Sequence, residues 1–155
     1  MKSAFADAAR LDVDSRSEAM TFQPVTHGLD AITKALVSDF GKSFENVYTF
    51  CLCDEPKGEA RGFKCSWLVG MSEKATGRVR VGCGDYDWSF GGEQRLVDRL
   101  SILIRTMNVL PGDHLRSVMV WLSTLPYPWC PASAALKEMP QLTELAEIRQ
   151  FLSAT

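Results

Sequence analysis

Between Asn46 and Leu110 the chain carries three runs of strand character followed by a run of helical spacing, and any fold must house both. In Phe63–Met71 the residues Phe63, Cys65, Trp67, Val69 and Met71 alternate with Lys64, Ser66, Leu68 and Gly70, the period of two that a pleated strand requires. Asn46–Cys53 precedes it and is apolar on both parities, as in a strand covered on both faces. The charged segment Asp54–Gly62 joins the two as a hairpin loop. Arg78–Phe90 is the third strand. Its apolar residues share one parity at Val79, Val81 and Cys83 and the other at Tyr86, Trp88 and Phe90, so the spacing predicts a bulge or bend at Gly82–Gly84. Leu96, Val97, Leu100, Leu103, Ile104 and Met107 then recur at helical intervals. They predict an amphipathic helix over Glu93–Met107, laid across the three strands.

The flanks complete an α+β expectation. An N-terminal helix over Gly28–Phe40 puts Leu29, Ile32, Leu36, Val37 and Phe40 on one side, with Thr26 as cap and Gly41 as stop. The three-stranded antiparallel meander and the central amphipathic helix follow it. A fourth strand is expected at Arg116–Thr124, then one or two C-terminal helices, Ala132–Met139 and Gln141–Leu152. Residues 26–155 form a single α+β domain in this reading, and residues 1–25 a flexible N-terminal arm. A chain of 155 residues is long enough for a proper core. A net charge of −2 offers no basic field, which argues against a nucleic-acid partner. No apolar run approaches the ~20 residues of a membrane span. Met1–Arg10 lacks the apolar core of an export signal, and five cysteines make an odd count. Together they imply reduced thiols and a cytoplasmic location.

The residues able to do chemistry are few. Cys51, Cys53, Cys65 and Cys83 lie on neighbouring strands, but mid-strand thiols among Val, Trp and Met behave as small buried hydrophobes, and tight C-x₂₋₄-C spacing is missing. No metal and no other cofactor is expected. His27 and His114 stand at a helix start and in a turn, with no thiol beside them in sequence. Asp85 and Asp87 share one side of the third strand, and Glu93 follows, so the three could hold a divalent metal. The same acids equally suit a wet strand end and a helix N-terminus. Gly82-Cys83-Gly84 falls short of a dinucleotide fingerprint, and no phosphate loop occurs.

The order strand–hairpin–strand–strand–helix–strand resembles the opening of the ribonuclease H-like fold. That resemblance implies an acid in the middle of the first strand, another in the helix and a third after the fourth strand. Here the first strand offers Phe50 and Cys51, and the fourth ends at Ser123-Thr124, so the expected acids are missing.

Surface residues point to contact instead. Arg95, Arg99, Ile102 and Arg105 form a stripe on the outer side of the expected central helix. Tyr127 and Trp129 stand on the stiff Leu125–Pro131 segment. Arginine and large aromatics are enriched at interface hot spots. The leading expectation is a non-catalytic intracellular binding protein that acts by protein–protein contact on a larger protein, as an inhibitor, immunity-type protein, adaptor or secretion chaperone, and is itself a homodimer. The alternative is a metal-dependent enzyme acting on nucleotides or nucleic acid through Asp85, Asp87 and Glu93 on a ribonuclease H-like layout. A third is a thiol sensor using Cys51 and Cys53.

Overall fold

The computed structural model describes all of residues 1–155 and builds them around one six-stranded mixed sheet. Its strands are β1 (Phe5–Ser15), β2 (Val25–His27), β3 (Phe44–Cys51), β4 (Gly62–Glu73), β5 (Val79–Gly91) and β6 (Leu96–Leu110). They lie in the order β2-β1-β6-β5-β4-β3. β3 to β6 are successive antiparallel neighbours, and β6 also pairs β1 in parallel. Between β2 and β3, α1 (Leu29–Thr33), a π-helical segment Lys34–Asp39 and α2 (Phe40–Ser43) run on without leaving helical dihedrals. After β6 come α3 (Leu115–Thr124), α4 (Ala132–Lys137) and α5 (Ala146–Ala154). No helix is long and apolar enough to cross a membrane.

The expected fold class is overturned at four places. The chain opens on a strand, not a helix, and the helix at 29–43 follows two strands. The stretch 1–25, read as an arm, contains β1. Ala9 and Leu11 there are fully buried and Leu11 pairs Leu100 of β6. The expected central helix Glu93–Met107 is the strand β6. The expected fourth strand Arg116–Thr124 is the helix α3, which buries Val118, Trp121 and Leu122 at helical spacing. The ribonuclease H-like layout falls with these, because no helix separates the last two of the four consecutive strands.

β6 mimicked a helix for a physical reason. Its register against β5 shifts twice, between the pairs Cys83↔Thr106 and Gly84↔Ile104 and between Ser89↔Arg99 and Phe90↔Val97. Arg105 and Asp98 are thus extra, bulged residues. Each bulge lengthens the interval between same-face residues from two to three. Val97, Leu100, Ile104 and Met107 therefore share one core while spaced as on a helix. The irregularity expected at Gly82–Gly84 falls at that place, but the extra residue is on β6. β5 itself runs opposite β4 without a shift from Gly62↔Ser89 to Ser72↔Val79.

The parity change in β5 reflects a change of covering layer. Val79, Val81 and Cys83 face the C-terminal helices, packing with Phe50, Leu68, Trp121, Leu122 and Ile148. Tyr86, Trp88 and Phe90 face the opposite side, towards β1 and α1. Each face of the sheet thus has its own core. On the C-terminal-helix side the Trp121 indole N–H donates to the Ala135 carbonyl at 2.9 Å and ties α3 to α4. On the other side the covering layer is incomplete, and a cavity remains.

Candidate functional site

The cavity has a volume of about 520 Å³ and lies between the sheet and the 29–43 helix. Its floor is made of alternate residues from three adjacent strands: Trp67, Val69 and Met71 of β4, Tyr86 and Trp88 of β5, and Leu100, Ile102, Ile104 and Met107 of β6. Two glycines of β5 make this floor possible. A Cβ on Gly82 would run into the Met107 side chain, and one on Gly84 would stand 2.8 Å from Trp67 Cζ2. Both large side chains therefore lie flat across β5. The roof is Leu36, Val37 and Phe40, and no residue of Lys34–Asp39 or of α2 is fully buried. One side is closed by Met20 and Phe22 from the β1–β2 connection.

That connection is pinned by an ion network. Arg80 Nε lies 2.7 Å from Glu73 Oε1, both side chains being nearly buried, and the same guanidinium donates to the Ala19 carbonyl. It also stacks 5.5 Å above the ring of Phe44, which lines the cavity. The Thr76 hydroxyl and Arg80 hold the Glu73 carboxyl below its ordinary value.

No side chain of the lining is an acid, a base or a histidine. The polar side chains among the lining residues are neutral: Thr49, Tyr86, Trp67 and Trp88. Tyr86 stacks on Trp67 at 5.6 Å and meets Trp88 edge-on at 5.5 Å. Burial pushes the phenol well above the usual tyrosine range, so it stays protonated. The Trp67 indole N–H is buried and has no hydrogen-bond partner. An orphan donor of this kind costs about 1–3 kcal/mol.

The residues singled out as a contact surface are not brought together. Arg95 pairs with Glu59, Arg99 with Asp12 at 2.8 Å, and Arg105 with Asp85. Ile102 is inside the cavity, on the face opposite Arg99. Trp129 packs edge-on against Phe63 at 6.0 Å, and Tyr127 is 73% exposed. They read as one stripe only on a helix, and β6 is a strand. Asp85 accepts from Ser66 Oγ at 3.0 Å, and Asp87 pairs with Lys64 at 3.0 Å, so each acid already has its partners. No three of the His, Cys, Asp and Glu side chains stand in metal-holding geometry. His27 is exposed at the sheet edge, and His114 Nε2 lies 3.5 Å from Glu144. Cys83 and Cys130 are buried among the C-terminal helices, and burial pushes the Cys83 thiol up to about 12. Sequence reasoning missed the cavity. Its signal was Gly82 and Gly84 set among Trp67, Tyr86 and Trp88, a glycine pair that admits large neighbours rather than bending the strand.

No family model matches this sequence, and no curated protein matches it. Solved structures do. An NTF2-like protein of unknown function from Exiguobacterium sp. 255-15 superposes with a TM-score of 0.50 at 15% identity, covering 66% of this chain and 77% of its own. A putative SnoaL-like polyketide cyclase from Mesorhizobium loti gives 0.49 at 14% identity, covering 65% and 79%. A computationally designed 17-OHP binder gives 0.49 at 12%, covering 69% and 81%. The first assigns this chain an NTF2-like fold, and the two looser superpositions add nothing to that assignment.

Proposed function

We propose that this protein binds a small, neutral, largely apolar molecule in the cavity between its sheet and the 29–43 helix. The observation that carries the reading is the character of the lining. A space of about 520 Å³ is walled by aromatic, aliphatic and methionine side chains, and none of the lining side chains is charged. This volume is within the ~300–1,000 Å³ of ordinary ligand sites. A charged ligand would lose its hydration and find no counter-charge, so the lining selects against it. A ligand with one or two hydrogen-bonding atoms among fused or aromatic rings suits the stacked Trp67, Tyr86 and Trp88.

Titration of tryptophan fluorescence with neutral polycyclic probes and their carboxylated or aminated analogues tests this. Neutral probes are expected to quench Trp67 and Trp88 at micromolar concentration, with the charged analogues at least about tenfold weaker, ~1.4 kcal/mol. Equal affinity for the two sets, or no quenching by either, overturns the reading.

One observation favours a second reading, in which the partner is a protein. Met1, Val37 and Val47 are exposed apolar residues that also border the cavity. A second copy of this chain covering that mouth would bury them. Sedimentation of the intact protein and of Val37→Asp decides: a dimer dissociated by the substitution supports it, and a wild-type monomer removes it.

A further inference from the structure

Three of the five cysteines, Cys51, Cys53 and Cys65, gather where β3 leaves β4. Cys51 lies opposite Trp67, and the Leu52 N–H donates to the Ser66 carbonyl at 2.8 Å. Leu52 and Ser66 therefore form a hydrogen-bonded rung. β3 ends at Cys51, and its register carried two residues further puts Cys53 opposite Cys65 at a non-hydrogen-bonded position. Opposed Cα atoms at such a position stand about 4.5 Å apart, inside the ~4.4–6.8 Å that a disulfide spans. The diagonal pair Cys51 and Cys65 is two residues out of register, about 7–8 Å in an ordinary sheet, which is beyond easy bridging. The neighbouring Cys51 thiol foremost, then burial and Cys53, push the ionisation of the Cys65 thiol up, which places the three in one neighbourhood. All three are partly exposed, unlike Cys83 and Cys130.

We propose that Cys53 and Cys65 are an oxidation site, closed to a disulfide by hydroperoxides. One thiolate takes a hydroxyl from hydrogen peroxide, the rest leaving as water, and becomes a sulfenic acid. The second sulfur then displaces a further water from it. Two thiols are oxidised to one S–S bond, and one peroxide is reduced to two waters. The bridge staples the neck of the 54–61 loop, two residues from Trp67. Cys51 and Cys65 also lie close enough to the Tyr86 phenol to raise its ionisation, so oxidation alters the environment of a cavity-wall residue. The site does not depend on what the cavity binds.

The test uses the full-length reduced protein, hydrogen peroxide and mass spectrometry. The expected product loses two hydrogen masses. Digestion without reduction should release a linked peptide joining the Cys53 and Cys65 segments, which Lys57, Arg61 and Lys64 separate. Cys51→Ser should keep the linkage, while Cys53→Ser and Cys65→Ser should each lower its yield at least tenfold. Oxygen adducts without a bridge, a Cys51–Cys53 linkage, or wild-type yield in Cys53→Ser would each overturn the assignment.

Discussion

Gly84 of β5 lies beneath the Trp67 indole of β4, its register partner, at a distance that leaves no room for a side chain. A Cβ there would stand 2.8 Å from Trp67 Cζ2 and overlap the Leu103 carbonyl, which is backbone and cannot rotate away. Gly84→Ala should therefore cost at least the ~1–3 kcal/mol typical of overpacking and shift Trp67 emission. Gly41→Ala is the contrast. Gly41 lies in α2 with nothing near its Cβ position, and alanine is the better helix former. It should gain about 0.5–1 kcal/mol. Urea unfolding of the two variants reads both. Equal midpoints would mean that Trp67 and Gly84 do not meet as described.

Ile102 and Arg99 separate the cavity from the outer surface of β6. Ile102 lines the cavity, whereas Arg99 reaches Asp12 on the other face. Ile102→Asn places an amide against apolar walls and should weaken a neutral probe at least about tenfold with the far-ultraviolet circular dichroism unchanged. Arg99→Ala should leave probe affinity within about twofold, since exposed ion pairs contribute ~0–1 kcal/mol. The reverse ranking would return function to the charged surface.

These two residues also show why the fold was only partly legible. β4 was plain because Phe63–Met71 alternates without interruption. β6 was not, because its bulges at Asp98 and Arg105 convert an alternating strand into helical intervals that no spacing rule distinguishes from an amphipathic helix. The β-branched Val97, Ile102, Ile104, Thr106 and Val109 were the remaining clue to a strand. α3 failed in the opposite sense. Val118, Met119, Val120, Trp121 and Leu122 are continuously apolar, and such a run fits a buried strand and a buried helix alike. β1 was hidden by Ala, Arg and Asp between its buried Phe5, Ala9, Leu11 and Val13. The cavity is a vacancy between layers, so it became visible only once both layers had been placed. The thiol group was half visible. Cys51 and Cys53 share a parity, but the rung that adds Cys65 needs the register.

Glu73 gives the molecule an acid-sensitive tie. Its carboxyl is held below the ordinary 4.5 by the Thr76 hydroxyl and by Arg80. A carboxyl that is more acidic folded than unfolded adds stability above its unfolded value, and that contribution is lost as pH falls through the lower folded value. The stability of the wild type should therefore drop on acidification below about pH 4.5. In Glu73→Gln this component should be absent and the acid limb correspondingly flatter. Because Arg80 also holds the Ala19 carbonyl, the first region to loosen should be the connection carrying Met20 and Phe22. Hydrogen exchange at residues 16–24 as a function of pH checks this. Exchange there that is unchanged down to pH 3 would separate the ion pair from the cavity wall.

On the other face of the sheet, Gly70 and Leu122 make a two-residue test of how α3 is seated. A Cβ on Gly70 would strike Leu122 Cδ1, and Leu122 is fully buried. Gly70→Ala alone should cost about 1–3 kcal/mol by overpacking, and Leu122→Ala about 2–5 kcal/mol by leaving a cavity. Together the new methyl enters the space the leucine vacates. The double variant should thus be more stable than the sum of the two losses by roughly 0.5–3 kcal/mol. Four urea curves with a common slope give the coupling directly. Losses that simply add, to within about 0.5 kcal/mol, would mean that α3 does not rest on β4 at this point.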